Sequence, residues 1–408
     1  MKKYLKVIIV PIFILLLMLF ATKLIVNIKI PDVFYSVDNN EITFNSALPF
    51  LDFKIKPKSG SVRASEKEYD ADLTILNIPL KNIKVKLIER QYVIPYGIPF
   101  GAKIFTNGVM IVNTSIIETE QGDTNPSEKS SLKKGDVILK VNDMEINTSK
   151  ELAQLVEKSD GKPLQISAIR GDLKFETQIV PVKPVYEDKF RIGLWVRDSS
   201  AGIGTITFCI PNGENSSGPI FVGLGHGIRD VDTDALLPLL HGEIMKASIK
   251  GVSKPTKDST GELRGIFIGD EPIGTIEANT DSGIYGRLYS GCEKSEKIAV
   301  ATKQEVKKGD ALMLSTVDGK EPKYYGITID RVDINKLNPN KNISISINDE
   351  ELKNKTGGIV QGMSGSTIMS KDKKTVFGAL THVCANNPLR GYGIFAERMI
   401  NNEIILTI

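Results

Sequence analysis

Short apolar runs separated by glycine, asparagine and aspartate fill the chain from about residue 185 to its end. Such runs are typical of β-strands joined by tight turns, because glycine and short polar residues adopt turn conformations that other side chains resist. Examples are 204–208, 220–224, 274–276, 311–314, 323–329 and 343–347. Few amphipathic helical patterns interrupt them. We therefore predict a mainly β chain, with a β-barrel or double-barrel domain over residues 186–408.

The amino terminus carries a hydrophobic segment behind a positively charged start. Three lysines among the first six residues precede an apolar run over 7–21, which resumes at 24–26 after Lys23. A run of about 20 residues is long enough to cross a bilayer, and the lysines favour the cytoplasmic side. We predict an uncleaved transmembrane signal anchor at 1–27, with the rest of the chain exported. A cleaved signal peptide is the alternative.

Residues 28–91 alternate apolar and polar side chains in short stretches, such as 42–44 and 83–87, which predicts strands. Lys56 to Asp70 is instead rich in Lys, Ser and Glu. We predict a β-rich N-terminal region with an exposed, flexible connector in that polar stretch.

Composition excludes some classes of function. The net charge is only +3, and no cluster of basic residues is interleaved with aromatic ones. Nucleic-acid binding is therefore disfavoured. Cys209, Cys292 and Cys384 are too few and too scattered to predict a disulfide framework or a zinc site, and Cys384 is predicted to be a small buried thiol. We predict no metal and no cofactor.

Residues 92–185 have the element order of a small α+β domain. The elements are, in order, a loop with two glycines (97–101), a strand (109–112), a Gly135-Asp136 turn into a second strand (137–141), a helix after Thr148 and a hairpin (164–179). Thr148 and Glu151 have the spacing of a capping box, which marks the start of the helix.

This order resembles a bacterial PDZ domain. The resemblance implies that an extended peptide is bound as an added strand beside the helix, with loop amides receiving its terminal carboxylate. Pro99, Phe100, Gly101 and Ala102 are predicted to form that loop. The alternative is a small α+β domain that binds no peptide.

A serine lies within a glycine-rich segment, TGGIVQGMSGS, over residues 356–366. Gly362 and Gly365 allow a tight turn that projects Ser364 while backbone N–H groups converge, as an oxyanion hole requires. The G-x-S-G pattern is closer to chymotrypsin-like peptidases than to the G-x-S-x-G elbow of α/β-hydrolases. We predict Ser364 as a nucleophile, with the amides of Gly362 and Ser364 as the oxyanion hole.

The chain has only three histidines, so few residues can activate that serine. His226 ends an apolar strand and is flanked by Gly225 and Gly227, and we predict that it is the general base. His382 is predicted to line the substrate cleft or to be buried. His241 has no accompanying motif.

A third group should orient His226, and the pattern of residues leaves two candidates. Asp349 lies shortly before Ser364, and Asp281 has the position that a chymotrypsin-like order suggests. Asp230, Asp232 and Asp234 begin like a calcium loop, but the required glycine and glutamate are missing. We predict that these aspartates shape the loop after His226 instead.

Several of these motifs together resemble the stage IV sporulation protein B peptidases. They are the segments 193–199, 224–233 and 356–366, with Thr381-His382-Val383 and Gly391-Tyr392-Gly393. The resemblance spans the anchor, the PDZ domain and the peptidase domain. It implies a chymotrypsin-like double β-barrel and a catalytic triad of His226, Asp349 and Ser364, which favours Asp349 over Asp281.

The resemblance also implies a function in sporulation. The family's members are signalling serine endopeptidases, exported from the forespore into the intermembrane space. They cleave a membrane-associated regulator of an intramembrane protease, and also themselves, which triggers late sigma-factor activation. For this chain, self-cleavage is expected within Lys56 to Asp70. The alternative is a non-catalytic, membrane-tethered PDZ protein that acts as a binding scaffold.

Overall fold

The computed structural model describes residues 20–28, 30–37, 53–57, 68–75, 78–210, 218–257, 259–292, 296–334 and 338–400, with residues 13, 17 and 18. Residues 20–28 are helical. None of the helices in this described part is long and apolar enough to span a membrane. Most of the predicted anchor over 1–27 lies outside the described residues.

Strands dominate these residues, which confirms the prediction of a mainly β chain. The strands are β1 (Val33–Val37), β2 (Phe53–Pro57), β3 (Glu68–Ile75), β4 (Ile78–Ile88), β5 (Tyr92–Thr114), β6 (Ile117–Thr119), β7 (Gly122–Thr124), β8 (Val137–Val141), β9 (Met144–Glu145), β10 (Leu164–Arg170), β11 (Leu173–Ile179), β12 (Leu194–Ile210), β13 (Ile220–Gly223), β14 (Leu239–Ser253), β15 (Glu262–Thr280), β16 (Gly283–Leu288), β17 (Ile298–Val300), β18 (Gly309–Ser315), β19 (Lys323–Val332), β20 (Ile343–Ile347), β21 (Thr367–Ser370), β22 (Thr375–Cys384) and β23 (Asn387–Phe395). The helices are α1 (Pro126–Ser130), α2 (Ser149–Lys158), α3 (Glu350–Thr356) and α4 (Ala396–Ile400), with a 3₁₀ turn at Pro339–Lys341.

The N-terminal region forms a four-stranded sheet in the order β1-β4-β3-β2. Its alternating side chains bury Phe34, Leu73 and Val85 in one core. Strands β2 and β3 are antiparallel and include both ends of the predicted connector, while residues 58–67 lie outside the described residues.

Two rings of paired strands make up most of the rest. The first ring closes through β5, β12, β13, β16, β15 and β14. The second closes through β18, β19, β20, β23, β22 and β21. Both are six-stranded barrels, and we call them the first and the second barrel. The short strands predicted one barrel or two, and the family resemblance implied two.

A smaller unit follows from β8 to β11 and packs around α2. Its core includes Val109, Ile138, Leu152 and Ile166. Thr148 and Glu151 form the predicted capping box at the start of α2. The buried Asp136 accepts two hydrogen bonds from the guanidinium of Arg170, at 2.7 and 2.8 Å. The Gly135-Asp136 turn is therefore anchored to the hairpin β10–β11.

Strand β5 joins this unit to the first barrel. Its C-terminal part pairs with β8, while residues 98–106 lie between β12 and β14. The predicted peptide-binding loop at Pro99, Phe100, Gly101 and Ala102 is therefore wrong. These residues are in the middle of a strand, and Phe100 and Ala102 belong to the core of the first barrel. The predicted PDZ domain at 92–185 therefore shares β5 with the first barrel, because residues 100–105 of that strand pair with both β12 and β14.

The cysteines also differ from expectation. Cys209 and Cys292 are buried and form a disulfide that joins two segments 83 residues apart in sequence. Cys384 is a free, half-buried thiol. Spacing in the sequence gave no sign of the bridge, because the two cysteines come together only when the first barrel closes.

Candidate active site

A cavity of about 470 Å³ lies between the two barrels. The first barrel contributes His226 and the residues 200–204, and the second contributes Ser364 and His382. Most of the remaining lining is apolar. Among the described residues that line it, Arg229 is the only charged one, and none is a carboxylate. The structure thus brings two of the three predicted catalytic residues into one cleft.

The turn that presents Ser364 is held by the backbone. The N–H of Gly365 donates to the carbonyl of Leu380 at 2.8 Å, and the N–H of Ser366 donates to that of Met363 at 3.0 Å. The N–H groups of Gly362 and Ser364 donate to no other described residue. These two amides are the predicted oxyanion donors, and their hydrogen-bonding capacity is available for a ligand.

Gly365 is required at its position for steric reasons. Its φ is +95°, and a Cβ atom there would lie 2.0 Å from the carbonyl oxygen of Thr205. Thr205 in turn bonds this turn twice, through its N–H to the carbonyl of Ser364 and through its hydroxyl to that of Gly362, both at 3.1 Å. The backbone of the first barrel is therefore in direct contact with the serine turn.

The hydroxyl of Ser364 donates to the carbonyl of Thr381 at 3.0 Å. Nδ1 of His226 lies 2.8 Å from the carbonyl of Gly227. Because a carbonyl can only accept, Nδ1 carries the proton, and Nε2 keeps its lone pair. Burial lowers the pKa of His226, and the nearby Arg229 adds to that effect against the opposing bond to Gly227. His226 is thus neutral at pH 7 and able to accept a proton.

His382 lies beside His226, with 5.5 Å between the ring centroids. This confirms the prediction that it lines the cleft or is buried. Its Nδ1 is buried and has no hydrogen-bond partner among the described residues. Burial, followed by His226, Lys341 and Arg229, lowers its pKa to about 4. The ring is therefore neutral at pH 7.

The loop after His226 is held by a charged network. Arg197 of β12 bonds the carboxylates of Asp230 and Asp232. The side chain of Asp230 is fully buried and also accepts the N–H groups of Asp232 and Thr233, at 3.0 and 2.8 Å. These contacts confirm that the aspartates shape this loop. Within the described residues, no cluster of side chains has the make-up of a metal site.

Neither candidate for the third catalytic group contacts His226. Asp349 caps helix α3, where its carboxylate accepts the N–H groups of Leu352 and Gly326, at 2.9 and 3.1 Å. Asp281 is largely exposed and pairs with Arg229 at 2.6 Å. The predicted role of Asp349 in a triad is thus not matched by a contact in this geometry.

Other contacts of the site escaped sequence reasoning. The carbonyls of Gly227 and Thr381 and the hydroxyl of Thr205 have no signature, because any residue carries a carbonyl and threonine is common. His241, by contrast, lies away from this cleft and stacks on Phe105 at 4.4 Å between ring centroids. His241 is therefore not part of this site, as the absence of a motif around it indicated.

Comparison with known proteins agrees with these features. Residues 188–400, more than half of the chain, match the family described as SpoIVB peptidase S55. Residues 101–180 match the family described as PDZ domain. The chain belongs to the SpoIVB peptidase S55 family, which confirms the predicted resemblance. It is accordingly a serine peptidase by family, with a PDZ domain inserted into its β-structure.

Solved structures are similar to part of the chain. One of them is the crystal structure of the PDZ domain of the SdrC-like protein from Listeria monocytogenes, 18% identical. The match covers 22% of this chain and 87% of that one, with a TM-score of 0.19. The assignment of the PDZ domain rests on the family match, and we refer below to β8–β11, α2 and the adjoining part of β5 as the PDZ unit.

Proposed function

We propose that the chain is a serine endopeptidase in which Ser364 is the nucleophile and His226 the general base. One observation carries this proposal: both side chains line one cleft between two six-stranded barrels. A site between two barrels is the arrangement of chymotrypsin-like peptidases, and we assign the fold to that type. The apolar lining fits an extended peptide better than a small polar substrate.

The chemistry follows from the groups present. On substrate binding, the hydroxyl of Ser364 leaves the carbonyl of Thr381 and turns towards Nε2 of His226. Oγ attacks the scissile carbonyl carbon while Nε2 takes the proton, and the N–H groups of Gly362 and Ser364 bind the oxyanion. The C–N bond then breaks as Nε2 returns the proton to the leaving amine. Water then attacks the acyl group left on Ser364 Oγ while Nε2 of His226 again takes the proton. The ester bond breaks, the proton returns to Oγ, and the carboxylic acid is released.

The orientation of His226 comes from the carbonyl of Gly227 in this arrangement. A carbonyl fixes the tautomer as a carboxylate does, but it supplies no full negative charge to stabilise the imidazolium ion. We keep Asp349, which the family resemblance favours, as a prediction that mutation can test separately.

For the biological substrate, we propose a membrane-associated sporulation regulator of an intramembrane protease, together with self-cleavage between Lys56 and Asp70. Support comes from the family and from the apolar segment at the amino terminus. Tethering to one membrane, on the exported side facing the intermembrane space, would raise the effective concentration of enzyme and substrate. The alternative of a non-catalytic scaffold gains no support from the strand next to the PDZ unit, because residues 101–105 of β5 are paired on both sides.

The test is cleavage of candidate regulator peptides by the purified full chain, with the cuts mapped by mass spectrometry. Ser364→Ala should abolish cleavage of peptide and of self while leaving the circular dichroism spectrum unchanged. Ser290→Ala is the matched control, because Ser290 is exposed and lies outside the cleft. Cleavage by the Ser364→Ala protein at the wild-type rate would refute the proposal.

A further inference from the structure

Strand β12 touches three parts of the molecule within eight residues. Asp198 contacts the PDZ unit, residues 200–204 line the cleft, and Thr205 bonds the serine turn. Arg197, one residue before this stretch, holds the loop after His226. A displacement of β12 would therefore reach each of these places.

Strand β12 pairs with β5 in the way that a bound peptide pairs with a PDZ domain. PDZ domains take an extended peptide as an additional strand on an exposed sheet edge. Here residues 199–205 run antiparallel to residues 99–105 of β5, a segment that includes the four residues predicted to form the peptide-binding loop. On its other side the same segment pairs with β14. The chain's own β12 therefore takes the place of an added strand.

A side-chain contact fixes β12 to the PDZ helix. The carboxylate of Asp198 accepts the N–H and the hydroxyl of Ser149, the first residue of α2, both at 2.8 Å. A carboxylate is favourable at a helix N-terminus because of the unpaired N–H groups there. Burial alone would raise the pKa of Asp198, but these bonds from Ser149 hold it below its ordinary value. The contact is thus charged at neutral pH.

Strand β12 also supports both members of the catalytic pair, through residues on either side of Asp198. Thr205 is almost fully buried and bonds the carbonyls of Ser364 and Gly362. Arg197 bonds the buried carboxylate of Asp230, which holds the loop that begins after His226. Because these contacts lie on one continuous strand, a shift of β12 displaces the serine turn and the histidine loop together.

We propose that β12 is an internal strand ligand of the PDZ unit, and that Asp198 is a positioning residue that aligns Ser364 with His226 through it. The inference rests on the proposed function, since it concerns the same catalytic pair. Its consequence is that the PDZ unit holds the peptidase strand in place, and that an external peptide could add to residues 101–105 only by displacing β12.

The experiment measures the rate at which a fluorophosphonate labels the folded full-length chain, well below its unfolding temperature. Asp198→Ala should be labelled roughly tenfold more slowly, because small misplacement of reacting groups is costly. Ser149→Ala keeps the N–H bond and should lose only a few-fold, and Asp198→Glu should recover part of the rate. Asp310→Ala is the matched control, because Asp310 of β18 is exposed and pairs with Lys371.

Hydrogen exchange supplies a second measurement that does not depend on activity. The amides of β12 should exchange faster in Asp198→Ala than in wild type, and those of β19 should be unchanged. If Asp198→Ala does not fold, Ser149→Ala carries the test by both readouts. Wild-type labelling rates with unchanged exchange in the folded variants would overturn the inference. Failure of the wild-type chain to be labelled at all would instead refute the proposed function.

Discussion

The two barrels hold their catalytic residues by different means. The second barrel fixes Ser364 through backbone bonds from neighbouring strands, with Gly365 fitted against Thr205. The first barrel fixes His226 through a loop that depends on charged side chains, chiefly Arg197 and Asp230. Backbone hydrogen bonds contain no charged group, whereas the ion pairs around His226 do. The serine turn thus depends on close backbone packing, and the histidine loop depends on charge.

The largest effect should come from disturbing the backbone contact. Gly365→Ala places a Cβ atom 2.0 Å from the carbonyl oxygen of Thr205 at a φ of +95°. We expect a loss of roughly 3–5 kcal/mol in the free energy of unfolding, from steric overlap and backbone strain, together with loss of peptidase activity. Urea denaturation measures the loss in the free energy of unfolding. Gly171→Ala, at another positive φ but in open space, is the control, and equal losses in both variants would contradict this account.

A smaller effect should follow from weakening the histidine loop. Asp230→Asn removes the charge that faces Arg197 while keeping an oxygen for the two backbone N–H groups. We expect a loss of about 2 kcal/mol in unfolding free energy, typical of a buried charged hydrogen bond, and slower turnover. Asp234→Asn removes an exposed carboxylate from the same loop and should change neither the unfolding free energy nor the turnover. If both substitutions have the same effect, the network around Arg197 does not hold the loop.

Acid should act on the second barrel through His382. The pKa of His382 is lowered to about 4 in the folded protein, so the unfolded chain binds protons more readily between that value and the ordinary pKa of about 6.5. Stability is therefore complete above about pH 6.5 and falls as the pH drops towards 4.

With allowance for partial exposure of the ring, this loss should be about 1–2 kcal/mol. The measurement is urea denaturation between pH 4 and 7 of wild type and His382→Gln, which lacks the titrating group. His241→Gln is the control, since His241 lies outside this cleft. An identical pH dependence in wild type and His382→Gln would show that His382 does not titrate as described.

The smallest effect is expected at the helix cap. Asparagine caps a helix about as well as aspartate does, but it keeps only one oxygen for the N–H groups of Leu352 and Gly326, so Asp349→Asn should lower the unfolding free energy by about 1 kcal/mol. The structure gives the carboxylate two backbone donors and no contact with His226, so turnover should stay within about tenfold of wild type. A drop of about 10⁴-fold would show that Asp349 reaches His226 during catalysis, as in the Ser-His-Asp triad.

The sequence was sufficient for features that depend on local pattern. Short strands predicted the barrels, the spacing of Thr148 and Glu151 predicted the capped helix, and the glycines around Ser364 and His226 predicted the residues of the cleft. Each of these follows from conformational preferences within a few residues.

Features that depend on distant partners were not predictable in the same way. Gly101 suggested a loop, yet it is a strand residue whose missing side chain leaves room for the ring of Phe267. The disulfide between Cys209 and Cys292 and the contact of Asp198 with Ser149 likewise join segments far apart in sequence. A glycine or an aspartate has many local uses, and only the packed structure decides among them.

The most direct test of the catalytic pair is to label the full-length chain with a fluorophosphonate and locate the label by peptide mapping. The account predicts a single modified site at Ser364, and loss of the modification in His226→Ala, since the base that activates the hydroxyl is then missing. Modification of another serine, or labelling of the His226→Ala protein at the wild-type rate, would contradict it.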